Sequence, residues 1–328
     1  MQSLDLEVLK HSRDWLNAGR RLWLVTVTQT FGASPRPPGS LMAMRDDGIV
    51  VGSVSGGCIE DDLVLRREAF TGAKPILQSY GVSAEEARRF GLPCGGQLEV
   101  IIEAVLDVTR LDMLFAKIAS GEVFARVVDL NTGAWSYGPA TPIDETARNE
   151  TEFTCIHGPR WRMLIIGASE IARYLAEVAA TLDFQVFVCD PREEYRIAWR
   201  AAGSTFVEGM PDDAVLAFQP DGHTVIVTVS HDPKLDDMAL MEALKTSAFY
   251  VGAVGSKKTS DERRKRLRET AEFGLSDSQV ARLHGPVGLA IGSRTPPEIA
   301  IAILAELVAA RNGHMLARAS ASDGVCAA

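Results

Sequence analysis

Two cysteines stand in mirrored glycine settings. Cys58 follows Gly56-Gly57 where a helix is predicted to start, and Cys94 precedes Gly95-Gly96. A helix N-terminus favours thiolate over thiol, while Glu60, Asp61 and Asp62 in the same turn oppose that charge. A thiol flanked by two glycines can approach a bulky ligand or a soft metal, which prefers sulfur. Cys58 and Cys94 are therefore the candidate metal-contacting pair. The same residues also describe two turns that each carry a small buried cysteine, and the local sequence leaves both readings open.

A second group of loops suits an anion. Gly167-Ala-Ser-Glu-Ile-Ala172 sits where a strand should turn into a helix. It keeps the first glycine and the last alanine of a GxGxxA dinucleotide fingerprint, but Ser169 replaces the glycine that lets pyrophosphate approach the backbone. Glu170 adds a carboxylate where a phosphate would sit. Asp190 falls about 20 residues further on, at the place of a ribose-binding acid; it could equally cap its own loop. Ser230-His231-Asp232 follows a later strand. Gly252-Ala-Val-Gly255-Ser-Lys257-Lys258-Thr259 is not a Walker A loop, because its spacing fails. It still joins glycines, a helix N-terminus and lysines, a combination that attracts phosphate. Arg294 precedes a capping box made by Thr295 and Glu298, with Pro296 at the first helical position. The run Arg263–Arg266 reads as a solvated helix face.

These loops need a scaffold, and the chain supplies one from Trp161 onward. Strands at 162–166, 185–190, 204–208, 223–229 and 248–252 alternate with helices at 170–182, 212–217, 234–245 and 258–272. Pro286–Ile291 and a helix from Pro296 to Arg311 close the pattern. Continuous apolar strands separated by helices predict a parallel sheet covered on both faces, a Rossmann-like domain. The N-terminal half predicts a helix over 4–19, strands near 21–28, 41–45, 48–54 and 97–104, and helices near 59–70, 83–90 and 107–120. Asp46-Asp47-Gly48 marks a hairpin, and 122–129 with 135–137 a peripheral one. The fold class is thus α/β, with an N-terminal domain over 1–138, a polar linker over 139–160, a Rossmann-like domain over 161–314 and a flexible tail over 315–328.

The net charge of −9 over 328 residues argues against non-specific binding to nucleic acid or an anionic membrane, which needs a basic surface. No apolar run is long enough to span a bilayer. The first ten residues lack the pattern of a secretory signal. Five scattered cysteines without zinc or CxxC spacing predict reduced thiols. A cytoplasmic location is the expectation.

Taken in order, Gly32-Ala-Ser-Pro-Arg36, Gly52-Ser-Val-Ser-Gly-Gly-Cys-Ile-Glu60, Gly91-Leu-Pro-Cys-Gly-Gly96, Asp190-Pro-Arg192, Ser230-His-Asp232, Tyr250-Val-Gly-Ala-Val-Gly-Ser256 and Pro286-Val-Gly-Leu-Ala-Ile-Gly292 through Pro297-Glu-Ile-Ala300 resemble the xanthine dehydrogenase accessory factor family, XdhC/CoxI. The resemblance spans nearly the whole chain outside 105–160. It implies a carrier that binds the molybdenum cofactor as cargo and shelters it. Such a carrier supports sulfuration with a cysteine desulfurase and delivers the cofactor to a molybdenum hydroxylase client. It implies a maturation factor with no catalytic residue rather than an enzyme. The candidate cofactor-binding residues are then Arg36, Gly56, Gly57, Cys58, Cys94, Gly95, Gly167, Ser169, Asp190, His231, Gly255, Lys257 and Arg294. The family commonly reads Gly-Ala-Gly-His at the first Rossmann turn, from which Gly167-Ala-Ser-Glu170 departs. A homodimer is expected, with Ile299–Val308 and Leu22–Val27 as candidate contact surfaces, although both segments are equally well explained as core. The alternative function is an NAD(P)-dependent oxidoreductase.

Overall fold

The computed structural model describes residues 3–32, 36–81, 90, 96–120, 122–141, 144–158, 161–269 and 274–314. Cys94, Gly95, the polar tail expected over 315–328 and all but Phe90 of the helix expected over 83–90 lie outside them. The chain divides into two compact units, Met1–Arg160 and Trp161–Ala328.

The first unit begins with α1 (Ser3–Asn17) and β1 (Leu22–Phe31), continues with the hairpin strands β2 (Leu41–Arg45) and β3 (Val50–Gly52), then α2 (Cys58–Arg66), β4 (Ile76–Tyr80) and β5 (Gln97–Val105). The five strands form an antiparallel sheet in the order β3-β2-β1-β5-β4. The Asp46-Asp47-Gly48 turn closes its hairpin with Met44 opposite Val50. β1 is the central strand, and Leu22–Val27 is buried throughout. The expectation of a self-association surface there is overturned: that apolar run is core on both faces, with Trp23, Val25 and Val27 packed toward α2 residues Ile59 and Leu63, and Leu22 and Leu24 toward α1 residues Val8 and Leu9.

After α3 (Val108–Ala119) a second antiparallel sheet is built from β6 (Phe124–Asp129), β7 (Trp135–Pro139), β8 (Ala147–Arg148) and β9 (Glu152–His157), in the order β7-β6-β9-β8. The stretch 139–160 is therefore not a free linker. Its second half pairs with β6 from Phe124 opposite His157 to Asp129 opposite Glu152, because Phe153 and Cys155 alternate inward while Glu152 and Thr154 turn outward. A buried ion pair joins the two sheets: Arg126 of β6 donates to Glu103 of β5 at 3.0 Å, and the Trp135 indole donates to the same carboxylate at 2.6 Å.

The second unit alternates β10 (Trp161–Ile166), α4 (Glu170–Thr181), β11 (Phe184–Cys189), α5 (Glu193–Ala198), β12 (Ser204–Val207), α6 (Pro211–Phe218), β13 (Thr224–Thr228), α7 (Pro233–Ala243), β14 (Tyr250–Ala253), α8 (Lys257–Glu269), α9 (Asp277–Ala281), β15 (Leu283–His284) and α10 (Pro296–Arg311). All six strands are parallel, in the order β12-β11-β10-β13-β14-β15. This is the doubly wound dinucleotide-binding order, with its crevice where the winding reverses between β10 and β13. One core packs α4 and α10 on the sheet and the other packs α6, α7 and α8. The sixth strand is not Pro286–Ile291 but Leu283–His284, which ends just before Gly285. Beyond them Pro286 has no N–H for a ladder, and the Gly288 amide donates to Glu306 of α10, which draws the chain off the sheet. Ile299–Val308 lies within α10. Its Ile301 is exposed and joins Val178, Leu182 and Val308 around an apolar groove of about 440 Å³ between α4 and α10. No helix among the described residues is long and apolar enough to cross a membrane.

Candidate functional site

The thiol loop is built around a carboxylate. α2 starts at Cys58, and the preceding residues Ser53–Gly57 curl over Glu60 in its first turn. Glu60 Oε1 accepts from the Ser53 hydroxyl at 2.7 Å and from the amides of Val54 at 2.8 Å, Ser55 at 2.8 Å and Gly56 at 3.1 Å. Oε2 accepts from the Gly57 amide at 2.8 Å and from the Ser55 hydroxyl. Burial alone would push this carboxyl up, but the donors of Ser55 and Ser53 outweigh it and hold Glu60 at about 2. It is fully ionised at neutral pH. The sequence marks Glu60 only as one of three acidic residues that oppose a Cys58 thiolate. Its distance of three residues from Gly57, the spacing of a capping box, was the signal for this arrangement.

Of the described cysteines, Cys58 is exposed, whereas Cys155 and Cys189 are buried. Burial pushes Cys155 up, and it pushes Cys189, with help from Asp190, to about 12. Those two thiols are chemically quiet. Among the described residues Cys58 is thus the thiol a ligand can reach. Arg36 is turned inward, 3.9 Å from the buried carboxylate of Asp5, which also accepts from the Leu41 amide. Among the described residues no cluster of three His, Cys, Asp or Glu side chains could hold a metal ion.

In the second unit, the candidate loops all leave the carboxyl ends of the parallel strands. Gly167 has φ +98°, and a Cβ there would lie 2.3 Å from Ser230 Cα, so this turn and the loop after β13 touch backbone to backbone. Ser169 caps α4 by accepting from the Ala172 amide. The carboxylate of Glu170 is exposed and pairs with Arg173 at 2.9 Å. Asp190 is fully engaged. It accepts from the Ala168 amide at 2.8 Å and the Arg192 amide at 3.1 Å, and from the Arg192 guanidinium at 2.9 and 2.7 Å. Burial raises the Asp190 pKa, and the Arg192 and Ala168 bonds more than offset it, so the net shift is downward. The self-capping reading of Asp190 is the geometry observed. The same Arg192 guanidinium, which no spacing argument singled out, also lies 3.8 Å from the centre of the Tyr195 ring.

His231 is exposed and holds a left-handed φ of +60°, uncommon outside glycine. Lys257 and Lys258 are exposed in the first turn of α8, after Gly255 and behind a Ser256 hydroxyl that accepts from the Thr259 amide. Arg294 is exposed, with its amide donated to Glu298 at 2.7 Å.

The expectation that Arg263–Arg266 forms a solvated face is corrected at Arg263, which is 2% exposed. Its guanidinium binds Asp236 at 2.9 Å, Asp237 at 3.1 Å and the Val254 carbonyl at 3.0 Å. Asp236 also accepts from the Ser230 hydroxyl at 2.6 Å. Burial raises the Asp236 pKa against the lowering effects of Ser230 and Arg263. Arg263 therefore ties the loop carrying His231 to the loop carrying Gly255 and Lys257. Nothing in a run of four basic residues marks which one points inward.

Comparison with known proteins matches parts of both units. The XdhC Rossmann domain matches residues 163–307, and the XdhC and CoxI family matches residues 15–81. The molybdenum cofactor insertion chaperone PaoD of Escherichia coli is 25% identical over 313 residues, covering 93% of this chain and 88% of PaoD. The uncharacterised protein YqeB of Escherichia coli is 25% identical over 294 residues, 88% of this chain but only 43% of YqeB, so the chain spans less than half of that relative. A crystal structure of a xanthine dehydrogenase from Bacillus halodurans superposes with a TM-score of 0.71 at 25% identity, covering 96% of this chain and 97% of that one. With both of its units matched, and the thiol loop and the Rossmann turns in place, the chain belongs to the XdhC and CoxI family.

Proposed function

We propose that this chain is an accessory factor for the molybdenum cofactor of xanthine dehydrogenase-type enzymes. It binds the cofactor as cargo, protects it, supports its sulfuration with a cysteine desulfurase, and hands it to a molybdenum hydroxylase client. The kinship with PaoD supports the cofactor. The observation that carries the reading is Cys58, an exposed thiol on a loop whose every inward donor is already satisfied, so the sulfur is left to meet a ligand. Soft sulfur suits molybdenum and its dithiolene. In the Rossmann unit, Lys257 at a helix N-terminus and Arg294 suit a phosphate.

The strand order would also suit an NAD(P)-dependent oxidoreductase. Against that stand Ser169, in place of the pyrophosphate glycine, and Asp190, whose oxygens already hold four donors.

Cys58→Ala tests the reading. It should weaken binding of molybdenum cofactor by at least roughly tenfold, about 1.4 kcal/mol. Because Cys58 is exposed, its stability should stay within about 0.5 kcal/mol of the parent. Unchanged affinity together with a lowered melting temperature would make Cys58 a packing residue and remove the main support for the proposal.

A further inference from the structure

A capping-box glutamate needs only the N-cap amide. Glu60 takes four successive amides, Val54 to Gly57, and two serine hydroxyls. The two glycines explain how. Gly56 has φ +96° and Gly57 φ +152°, conformations that side chains resist, yet a Cβ at either would meet nothing within 4 Å. Glycine is present for backbone shape and not for room. That shape turns consecutive N–H groups inward onto one carboxylate, an anion nest whose occupant is the chain's own side chain. Ser53 adds a further tie by accepting from the Gly56 amide at 2.9 Å. Cys58 is the residue that follows the nest, with no free turn between them.

We propose that Glu60 is the positioning residue for Cys58: by filling the ring of donors formed by Ser53–Gly57, its carboxylate fixes the loop that presents the thiol. The inference rests on the reading of Cys58 as a cofactor contact, and it gives the double glycine a role that no bulky ligand is needed to explain. A neutral amide of the same shape cannot replace the carboxylate. The nitrogen of Glu60→Gln would face the Gly57 amide and the Ser55 hydroxyl, donor against donor, or the Val54–Gly56 amides if flipped.

The experiment compares the full chain with Glu60→Gln, Ser55→Ala, Cys58→Ala and the Glu60→Gln/Cys58→Ala double variant. Two quantities are read: the rate at which iodoacetamide alkylates Cys58, followed by mass spectrometry of its peptide, and the affinity for molybdenum cofactor released anaerobically from a denatured molybdenum hydroxylase. Glu60→Gln should raise the alkylation rate by at least about threefold as the loop loosens. Ser55→Ala, which keeps the charge and removes one donor, should shift it the same way by a smaller factor. Cofactor affinity should fall about tenfold in Glu60→Gln, and the double variant should bind no more weakly than Cys58→Ala alone. An unchanged alkylation rate in both Glu60→Gln and Ser55→Ala overturns the proposal. So does an additive double variant, since Glu60 would then act independently of the thiol. If alkylation responds but neither Cys58→Ala nor Glu60→Gln changes affinity, Glu60 still sets the loop and it is the cofactor role of Cys58 that fails.

Discussion

Gly167→Ala should destabilise the Rossmann unit by about 4 kcal/mol, combining the strain of a positive φ with an overlap that no rotamer can relieve. The added Cβ would lie 2.3 Å from Ser230 Cα and 2.6 Å from Ser230 N. Both are backbone atoms of the loop after β13, and that loop is anchored through Ser230 to Asp236 at 2.6 Å. The turn after β10 and the loop after β13 would have to part, opening the crevice at the winding reversal. Denaturant titration of the variant measures the cost. A loss under about 1 kcal/mol, within the range of ordinary surface changes, would mean the two turns are not locked together.

Arg263→Ala should cost about 3 to 5 kcal/mol, the usual result of removing one partner from a buried ion pair. Two carboxylates would be left behind, Asp236 at 1% and Asp237 at 7% exposure. Arg266, which holds Asp237 at 2.8 Å, can satisfy only one of them. The pH dependence has a defined sign. A buried carboxyl without its cation has a folded-state pKa above the unfolded value of about 3.9. Its protonated form is therefore tolerated below that value, and stability is lost as pH rises through the folded pKa. The gap between Arg263→Ala and the parent should widen from acid to neutral pH. A pH-independent gap would assign the loss to packing alone. Because Arg263 also holds the Val254 carbonyl, the phosphate binding proposed at Lys257 should weaken alongside stability.

The Rossmann unit was legible because fully buried parallel strands are continuous apolar runs, such as Met163–Ile166 and Val225–Val227, separated by helices of ordinary length. The β2–β3 hairpin was legible because Asp46-Asp47-Gly48 is turn chemistry. What stayed hidden depends on partners distant in sequence. Leu22–Val27 reads the same whether it is a central strand or an exposed patch, and only the flanking β2 and β5 decide it. β9 hides in a polar stretch because its inward set, Phe153 and Cys155, is short. β15 has two residues and no periodicity to detect. In the candidate site, residue types were readable and charge partners were not. Asp190 stood out by spacing, yet its occupation by Arg192 did not; Arg263 lay inside a basic run, and Glu60 inside Glu60-Asp61-Asp62. Each is defined by which donors surround it in three dimensions.

The central claim is that this chain holds molybdenum cofactor and not a nicotinamide nucleotide. Anaerobic calorimetry of the purified full chain, titrated separately with released molybdenum cofactor and with NAD and NADP, reads it most directly. The expected result is saturable binding of the cofactor in the micromolar range or tighter, about 8 kcal/mol or more of binding free energy, with no heat of binding from either nucleotide at the same concentrations. Micromolar affinity for NAD or NADP with no cofactor binding would contradict the account, and would assign the Rossmann crevice to a hydride-transfer enzyme.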